Sequence, residues 1–368
     1  MSQDKEPLRY PGDVVNQRYK IVDRIGSGSF AEVHLGQDIS LDRDIAVKIM
    51  RLGLLNQPNV DGQALRQELM TRFHREAILV AKLRSQHVVT LFDFGAEPNG
   101  DLFMILEYVP GQTLREEVMA TGRLQPRRVA HILKQCCYGL AEAHAYELLH
   151  RDIKPENIMI FDYFEERDQV RLVDFGIAKT LQERASDLTN AGILVGTPRY
   201  MPPERVTKQP MGPASDIYSL GCVAYFLLTG NEVYKDIGPV IEILRASSGP
   251  EPILLPDTVP YKLRRIVEKM LAKDVNHRFQ SCREIIRELE DFTFSQEYQI
   301  RKETGALPML DPSFIQPLDD GDDLVEGVVP GGLPITHREV PLVDLGAPED
   351  DDDFSPTQVV EVDPDMFD

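Results

Sequence analysis

Five short runs rich in β-branched and aromatic residues dominate the first third of the chain. They are YKIVDRIG (19–26), AEVHLGQD (31–38), RDIAVKIM (43–50), HVVTLFDFG (87–95) and LFMILEYV (102–109). Gly and Asp turn residues separate the first three, so each reads as a strand. Between the third and fourth, Leu65, Leu69, Phe73, Ala77 and Ala81 recur every four residues, which predicts a helix with one buried stripe. After VPGQTL (109–114) the period becomes helical. QPRRVAHILKQCCYGLAEAHAYE (125–147) is long and amphipathic, and IYSLGCVAYFLLTG (217–230) is apolar nearly throughout. Those 14 residues are too few to span a bilayer and suit a buried helix, with Asp216 as its N-cap. Ser281 and Glu284 form a capping-box signature before REIIRELEDF. From about Gln296 periodicity stops. The pattern therefore predicts an α+β chain: an extension over 1–18, a lobe of five strands and one helix over 19–109, a mainly helical lobe over 110–293, and a tail over 294–368.

Charge sharpens that boundary. From Gln296 to Asp368 there are 19 acidic and 3 basic residues, so −16 of the net −20 lies there and the first 295 residues carry about −4. Nine prolines and the run EDDDDF (349–354) in the same stretch predict a disordered acidic tail. No dense Lys/Arg cluster appears, which argues against nucleic acid as partner. The polar start MSQDKEPLRY lacks a signal peptide's apolar core, and no membrane span is visible. Cys136, Cys137, Cys222 and Cys282 lack metal-ligand spacing and suit reduced thiols in a cytoplasmic protein.

Candidate chemistry concentrates in four places. In RIGSGSFAEV (24–33), Gly26 and Gly28 allow backbone N–H groups to approach a phosphate, although a hairpin turn uses the same residues. A dinucleotide fold would place a helix after these glycines, whereas AEVHLGQD reads as a strand. In IAVKIM (45–50), Lys48 sits in an apolar strand on the face of Ala46, and needs an anionic partner unless it points to solvent. Glu76, near the helix stripe, is the candidate carboxylate. LLHRDIKPENIMIF (148–161) packs Asp152, Lys154 and Asn157 between apolar flanks, a costly arrangement unless something polar sits beside them. In LVDFGIAK (172–179), Asp174 lies between Val173 and Phe175, with Gly176 permitting an unusual turn. Asn157 and Asp174 offer the oxygen ligands that hard divalent cations select, at the ends of two short strands able to pair as a hairpin.

The Gly-rich loop, strand lysine, HRDIKPEN, DFG and GTPRYMPPE (196–204) occur in that order. Together they resemble the protein-kinase family, most closely the bacterial eukaryotic-like (Hanks-type) serine/threonine kinases, over about residues 19 to 293. The resemblance implies a bilobal fold with an antiparallel N-lobe sheet, and a non-specific serine/threonine protein kinase regulated by activation-loop autophosphorylation in bacterial signalling. Its cofactors would be ATP with Mg²⁺, Mn²⁺ being the alternative.

By the same resemblance, Asp152 orients the substrate hydroxyl and Lys154 neutralises charge on the γ-phosphoryl, while Lys48, anchored by Glu76, grips the α- and β-phosphates. Asn157 and Asp174 hold the metal. Ile25, Gly26, Ser27, Gly28, Ser29 and Phe30 form the phosphate-covering loop. Val33, Ala46 and Met159 sandwich adenine, Leu106 guards the back pocket, and Glu107 to Val109 supply backbone hydrogen bonds. His150 and Phe175 are core supports, Asp216 braces the catalytic loop, and Glu204 pairs with Arg278. Thr197 marks the serine/threonine class. Thr189 and Ser186 are activation-loop phosphosites, with Arg151 placed to meet a phosphate there. Thr357 in the tail is a candidate ligand, once phosphorylated, for a forkhead-associated partner, against the plainer reading of a solubilising tail. Ala31 replaces the loop's third glycine and PPE replaces APE; neither change removes a catalytic group. The long approach 51–72 and the insertion FDYFEERDQ (161–169) are docking surfaces or harmless additions.

Two other readings remain. A pseudokinase scaffold would not need all of Lys48, Glu76, Asp152, Asn157 and Asp174, and a small-molecule phosphotransferase would not need GTPRYMPPE. Protein substrates are the implied partners, and the sequence leaves a dimer open.

Overall fold

The structure is a computed structural model, and it describes residues 8–27, 31–50, 62–176 and 198–303. Its first lobe carries a sheet in the order β1-β2-β3-β4-β6-β5. The strands are β1 (Val14–Val15), β2 (Tyr19–Ser27), β3 (Ala31–Asp38), β4 (Arg43–Met50), β5 (Leu91–Ala96) and β6 (Leu102–Glu107). All pairings are antiparallel. The five predicted strands are present, and β1 adds a sixth from the segment read as an extension. Its described part, residues 8–18, belongs to the lobe: Val15 is fully buried, the Leu8 N–H donates to Glu32 and Arg9 pairs with Glu97 at 2.7 Å. Its position follows from the strands' alternation. Ile45, Val47 and Ile49 of β4 face one side of the sheet with Ile21, Phe103 and Ile105, and an apolar layer on an outer face needs covering.

The other face of β4 presents Ala46, Lys48 and Met50 toward α1 (Gly62–Ala81) and the interlobe core. Leu69, Phe73 and Ala77 are fully buried as predicted, but Ala81 is exposed and Val80 takes its place. A strict four-residue repeat drifts about 40° per step around a 3.6-residue helix, so the stripe returns to the core at i+7.

Past the short β7 (Gln112–Thr113), helices α2 (Leu114–Thr121) and α3 (Pro126–Ala145) lead to a hairpin of β8 (Ile158–Tyr163) and β9 (Glu166–Leu172). Helices α4 (Pro203–Val206), α5 (Pro213–Thr229), α6 (Val240–Ser248), α7 (Tyr261–Met270) and α8 (Cys282–Glu303) complete the second lobe. Two helix ends differ from the sequence reading. Helix α5 starts at Pro213 rather than after Asp216, because proline suits the first helical turn; Asp216 lies inside that turn with its carboxylate free for other work. Helix α8 begins at the predicted place, where the Ser281 hydroxyl bonds Glu284 at 2.9 Å, but continues through Glu303. No Gly or Pro interrupts it before Gly305. No described helix is long and apolar enough to cross a membrane.

Arg278 ties the base of this lobe together. Its guanidinium donates to both oxygens of Glu204 at 2.8 and 2.9 Å and to the carbonyls of Ala214, Ala272 and Lys273. All donor directions of the planar fork are thereby used inside the protein. Burial alone would raise the Glu204 carboxyl, but the Arg278 and Ser215 hydrogen bonds hold it below the usual range. Arg278→Ala strands a buried carboxylate and should cost about 3–5 kcal/mol of stability. Replacing Arg278 and Glu204 together by methionines should cost clearly less than the single change, as judged by denaturant unfolding.

Candidate active site

Between the lobes, residues distant in sequence meet. β4 brings Lys48, β8 follows the 3-10 turn Pro155–Asn157, and β9 runs out into Asp174. The Asn157 carbonyl accepts the Val173 N–H at 3.0 Å, which sets Asn157 beside Asp174 at the mouth of the β8–β9 hairpin. The Lys48 ammonium pairs directly with Asp174. Burial would raise the Asp174 carboxyl, and the adjacent Lys48 charge and hydrogen bond lower it overall. Asn157 Nδ2 donates to the Asp152 carbonyl at 2.8 Å and to Asp152 Oδ2 at 3.0 Å, and Lys154 Nζ lies 3.1 Å from the same oxygen. Lys48, Asp152, Lys154, Asn157 and Asp174 thus form one cluster.

The loop carrying Asp152 is held from below. Asp216 is buried and accepts the His150 N–H and the Arg151 N–H, each at 2.9 Å, while His144 Nε2 lies 2.9 Å from its Oδ2. Burial opposes charge there, yet the His144 hydrogen bond, both histidines' proximity and the backbone donor keep the carboxyl below its ordinary value. His144 is pushed up to about 9: burial works against the imidazolium, and Asp216 and Cys282 more than offset it. His150 has the reverse fate. It is fully buried and desolvation lowers its pKa, so it is neutral at pH 7. Its Nε2–H donates to the Val173 carbonyl at 3.1 Å, and its ring lies 4.5 Å from that of Phe175. Arg151 and Asp174 both have left-handed backbones, φ 61° and 60°, conformations that persist in such residues only where the surroundings enforce them. The Gly176 N–H donates to the His150 carbonyl at 2.9 Å, and a Cβ there would lie only 3.0 Å from that oxygen, so a larger residue would crowd the turn after Phe175.

Apolar residues pack beside this cluster. Ala46 and Leu106 are paired across β4 and β6 and buried; Val109 is buried, and Val33 and Met159 pack on the same core. The segment after Val109 is fixed by Gly111, where a Cβ would fall 2.4 Å from the Ile160 carbonyl. Glu107 accepts the Thr90 N–H at 3.2 Å and meets Arg171 at 3.4 Å. Of the phosphate-loop residues, Ile25 is half exposed, and Gly26 has neither a positive φ nor a crowded Cβ position. Ser27 ends β2. Gly28, Ser29 and Phe30 lie outside the described residues, as do Ser186, Thr189, Thr197 and Thr357.

Glu76 departs from the expectation. It makes no ion pair with Lys48, whose partner is Asp174 instead. It faces a cleft of about 800 Å³ between α1 and the catalytic loop, lined also by Arg72, Arg75, Arg151 and Phe175. Burial pushes its pKa up to about 7, with Arg151 the largest of the cations pulling it back. The carboxyl therefore holds its proton in this conformation where an unfolded chain, near 4.5, has lost it.

Sequence reasoning missed His144, Gly111 and Arg115. Arg115 bonds Glu156 at 2.8 Å and the Tyr200 hydroxyl at 3.1 Å, joining α2 to the turn of Asn157 and to the residues after 197. His144 carried one signal, a histidine on the apolar side of a helix six residues before His150.

A two-lobed α+β fold whose interlobe cleft gathers a strand lysine, a loop aspartate and an Asn/Asp oxygen pair defines the protein-kinase class. The family model for the protein kinase domain matches residues 19–289, and the chain belongs to that family. Members use ATP with a divalent metal. The chain is 36% identical over 281 residues to the serine/threonine-protein kinase PknB of Mycolicibacterium smegmatis, covering 75% of this chain and 43% of that protein. It is 34% identical to PknB of Mycobacterium tuberculosis over the same shares, and 33% identical over 276 residues to PrkC of Bacillus subtilis, covering 74% and 40%. The chain thus spans about two-fifths of the length of these relatives.

The raised Glu76 pKa has a signed consequence. A folded-state acid pKa above the unfolded value stabilises below pH 4.5, and that stability is lost as pH rises through about 7. Glu76→Gln should leave the melting temperature near pH 4.5 almost unchanged and raise it at pH 8 by roughly 2–4 °C in nucleotide-free protein. Scanning calorimetry at the two pH values checks this.

Proposed function

We propose that the chain transfers the γ-phosphoryl group of ATP to serine and threonine hydroxyls of proteins, the activity that its relatives are named for. The observation that carries this reading is the single cluster of Lys48, Asp152, Lys154, Asn157 and Asp174. The transition state of such a transfer spreads negative charge over non-bridging oxygens, so positioned cations and oriented acceptors supply most of the catalysis.

Each residue has a part. Asp152 accepts the hydrogen bond of the incoming hydroxyl and fixes its approach; the Asn157 amide and the Lys154 ammonium hold that carboxylate in place. Lys154 then faces the moving phosphoryl oxygens. Lys48 exchanges its Asp174 contact for the α- and β-phosphates, and Glu76 becomes its anchor once α1 brings it inward. Ala46, Val33, Met159 and Leu106 form the apolar slot for adenine, with backbone hydrogen bonds from Glu107 to Val109. Arg151, beside the Glu76 cleft, meets a phosphate on Thr189 or Ser186, which links autophosphorylation to the position of α1.

The donor set fits Mg²⁺, with Mn²⁺ as an alternative: Asp174 and Asn157 are hard oxygen ligands, and Asn157 Oδ1 accepts no hydrogen bond among the described residues. No cluster of three or more His, Cys, Asp or Glu that could hold a metal is found among the described residues; phosphate oxygens and water would complete the shell. The ion would supply charge neutralisation of the phosphates. A forkhead-associated partner for phosphorylated Thr357 and a dimer are further parts of the proposal.

Incubation with labelled ATP, Mg²⁺ and a generic basic protein should label serine and threonine. Asp152→Asn should lower the rate by about 10²–10⁴-fold. Absence of transfer by the unaltered chain, or undiminished transfer by Asp152→Asn and Lys48→Met, overturns the reading. Mass spectrometry of the same samples reports whether Thr189, Ser186 and Thr357 are modified.

A further inference from the structure

The β8–β9 hairpin ends on two aromatic rings in water. Tyr163 is 59% exposed and Phe164 91%, and their rings meet edge to face with centroids 4.7 Å apart. A turn that merely joined two strands would use small polar residues. Instead, Phe164 takes the first central position of a two-residue turn with a left-handed φ of 51°. Glycine or asparagine is the low-strain choice there, and a bulky side chain is an outlier. Exposure and strain are separate costs on one residue, and so exposed a ring recovers little of either by packing.

The tip is nonetheless held firmly. The Arg128 guanidinium on α3 donates to both oxygens of Asp168 at 2.7 to 3.0 Å and also pairs with Glu117. Gln135, buried on the same helix, donates to the Asp168 carbonyl at 2.7 Å and accepts the Val170 N–H at 3.1 Å. The Asp168 N–H reaches Asp162 at 3.0 Å. Between Phe161 and Tyr163 the register slips by one residue, a bulge of the kind that re-aims side chains. The Gln135 contacts take main-chain groups on the outer edge of β9, the last strand of its sheet, which disfavours addition of a partner strand. Recognition at this tip falls to side chains.

Beside the rings lies a hollow of about 650 Å³ lined by Phe161, Tyr163, Phe164, Gln169 and Arg171. Arg171 is already engaged by Glu107, the Gln86 carbonyl and the Phe161 ring. The Glu165 and Glu166 carboxylates on the rim make no ion pair or hydrogen bond among the described residues. Arg167 alone opposes Asp162, Glu165 and Glu166 along the tip. The complementary occupant is therefore apolar and cationic together: an apolar side chain for the aromatic floor, and lysine or arginine for the rim and the ring faces.

We propose that the β8–β9 tip docks an extended basic segment, bearing apolar side chains, of the proteins on which the chain acts. Rigid aromatic anchors bind at little ordering cost, which is what the Arg128 and Gln135 brace provides. The six residues of β8 separate the tip from Asn157, about 20 Å at the usual strand rise. An extended chain covers that span in about six or seven residues, so a docked protein keeps its acceptor hydroxyl at raised local concentration near Asp152. The link to substrates rests on the kinase reading; binding of the segment does not.

The test uses full-length protein and a peptide of alternating arginine and photo-reactive leucine, without serine or threonine, with cross-links mapped by mass spectrometry. Cross-links should fall within residues 161–171. Phe164→Gly should cut their yield about fivefold or more while leaving the melting temperature unchanged or higher, because glycine relieves the turn. Glu165→Lys with Glu166→Lys should cut it too. In transfer assays both changes should raise KM for a basic protein rather than lower kcat, and far more than for a short acceptor peptide. Equal cross-linking of Phe164→Gly, or cross-links confined to the acidic tail, overturns the proposal. So does a lower melting temperature of Phe164→Gly, since the ring would then serve the fold, or a dimer that Phe164→Gly abolishes, since the occupant would then be a second copy. Should the unaltered chain transfer no phosphate, the kinase reading fails by itself, and the cross-links still decide the docking site.

Discussion

One buried carboxylate sets the reference for the whole site. Asp216 accepts two successive backbone N–H groups and a histidine, so one side chain satisfies two buried main-chain donors. Its two oxygens reach His150 and Arg151 separately, which pins both peptide planes and keeps Arg151 at a left-handed φ of 61°. The segment after Arg151 is thereby aimed at the cleft before any ligand arrives. Asp216 rides on α5, a helix buried on nearly all sides, so the catalytic loop is registered to the least deformable part of the second lobe. Arg278 and Glu204 fasten the N-terminal end of the same helix through the Ala214 carbonyl and Ser215.

The first lobe is tied to that frame more loosely. Lys48 is buried and its position between apolar strands demands a counter-charge. The structure meets the demand with Asp174 rather than Glu76. On the proposed reading, Glu76 would be the alternative partner, and the position of α1 would decide between the two. In the present arrangement Asp174 gains a cation that lowers its pKa, while burial pushes the Glu76 pKa up to about 7. On the same reading, a ligand on Asp174 would favour the Glu76 pairing over the observed Lys48–Asp174 pair.

The sequence was most legible where one physical rule dominates. β3 and β4 match their predicted ranges because strict alternation on a half-covered sheet has no helical equivalent. The cluster of Lys48, Asp152, Lys154, Asn157 and Asp174 was readable because each residue stood as a charge or amide among apolar neighbours. Where two rules competed, the reading slipped. An acid before an apolar run reads as a helix cap, but Pro213 starts the helix earlier and Asp216 turns to the loop, the bracing role that the family resemblance implies. Strand β1, only two residues long, had too few positions to show a period. The Lys48 partner was not legible because its two candidates lie far apart in sequence, and only tertiary placement of α1 decides between them.

Charge within the cleft explains why the site needs its ligands together. Lys48 and Lys154 carry two positive charges, and Asp152 and Asp174 carry two negative ones, so the four cancel in pairs at contact distance. A triphosphate entering alone would bring several negative charges toward two aspartates, with both lysines already engaged. Freeing Lys48 for the phosphates leaves Asp174 as an exposed like charge beside them. Under the proposed function, Asp174 and Asn157 would hold a divalent cation, whose charge would offset that of the phosphates. On the proposed reading, the Lys48–Asp174 pair is therefore the closed form of an exchange, in which the ammonium goes to phosphate only as metal goes to carboxylate. Neither partner is left unpaired in the low-dielectric cleft at any stage, which is the condition a buried lysine imposes.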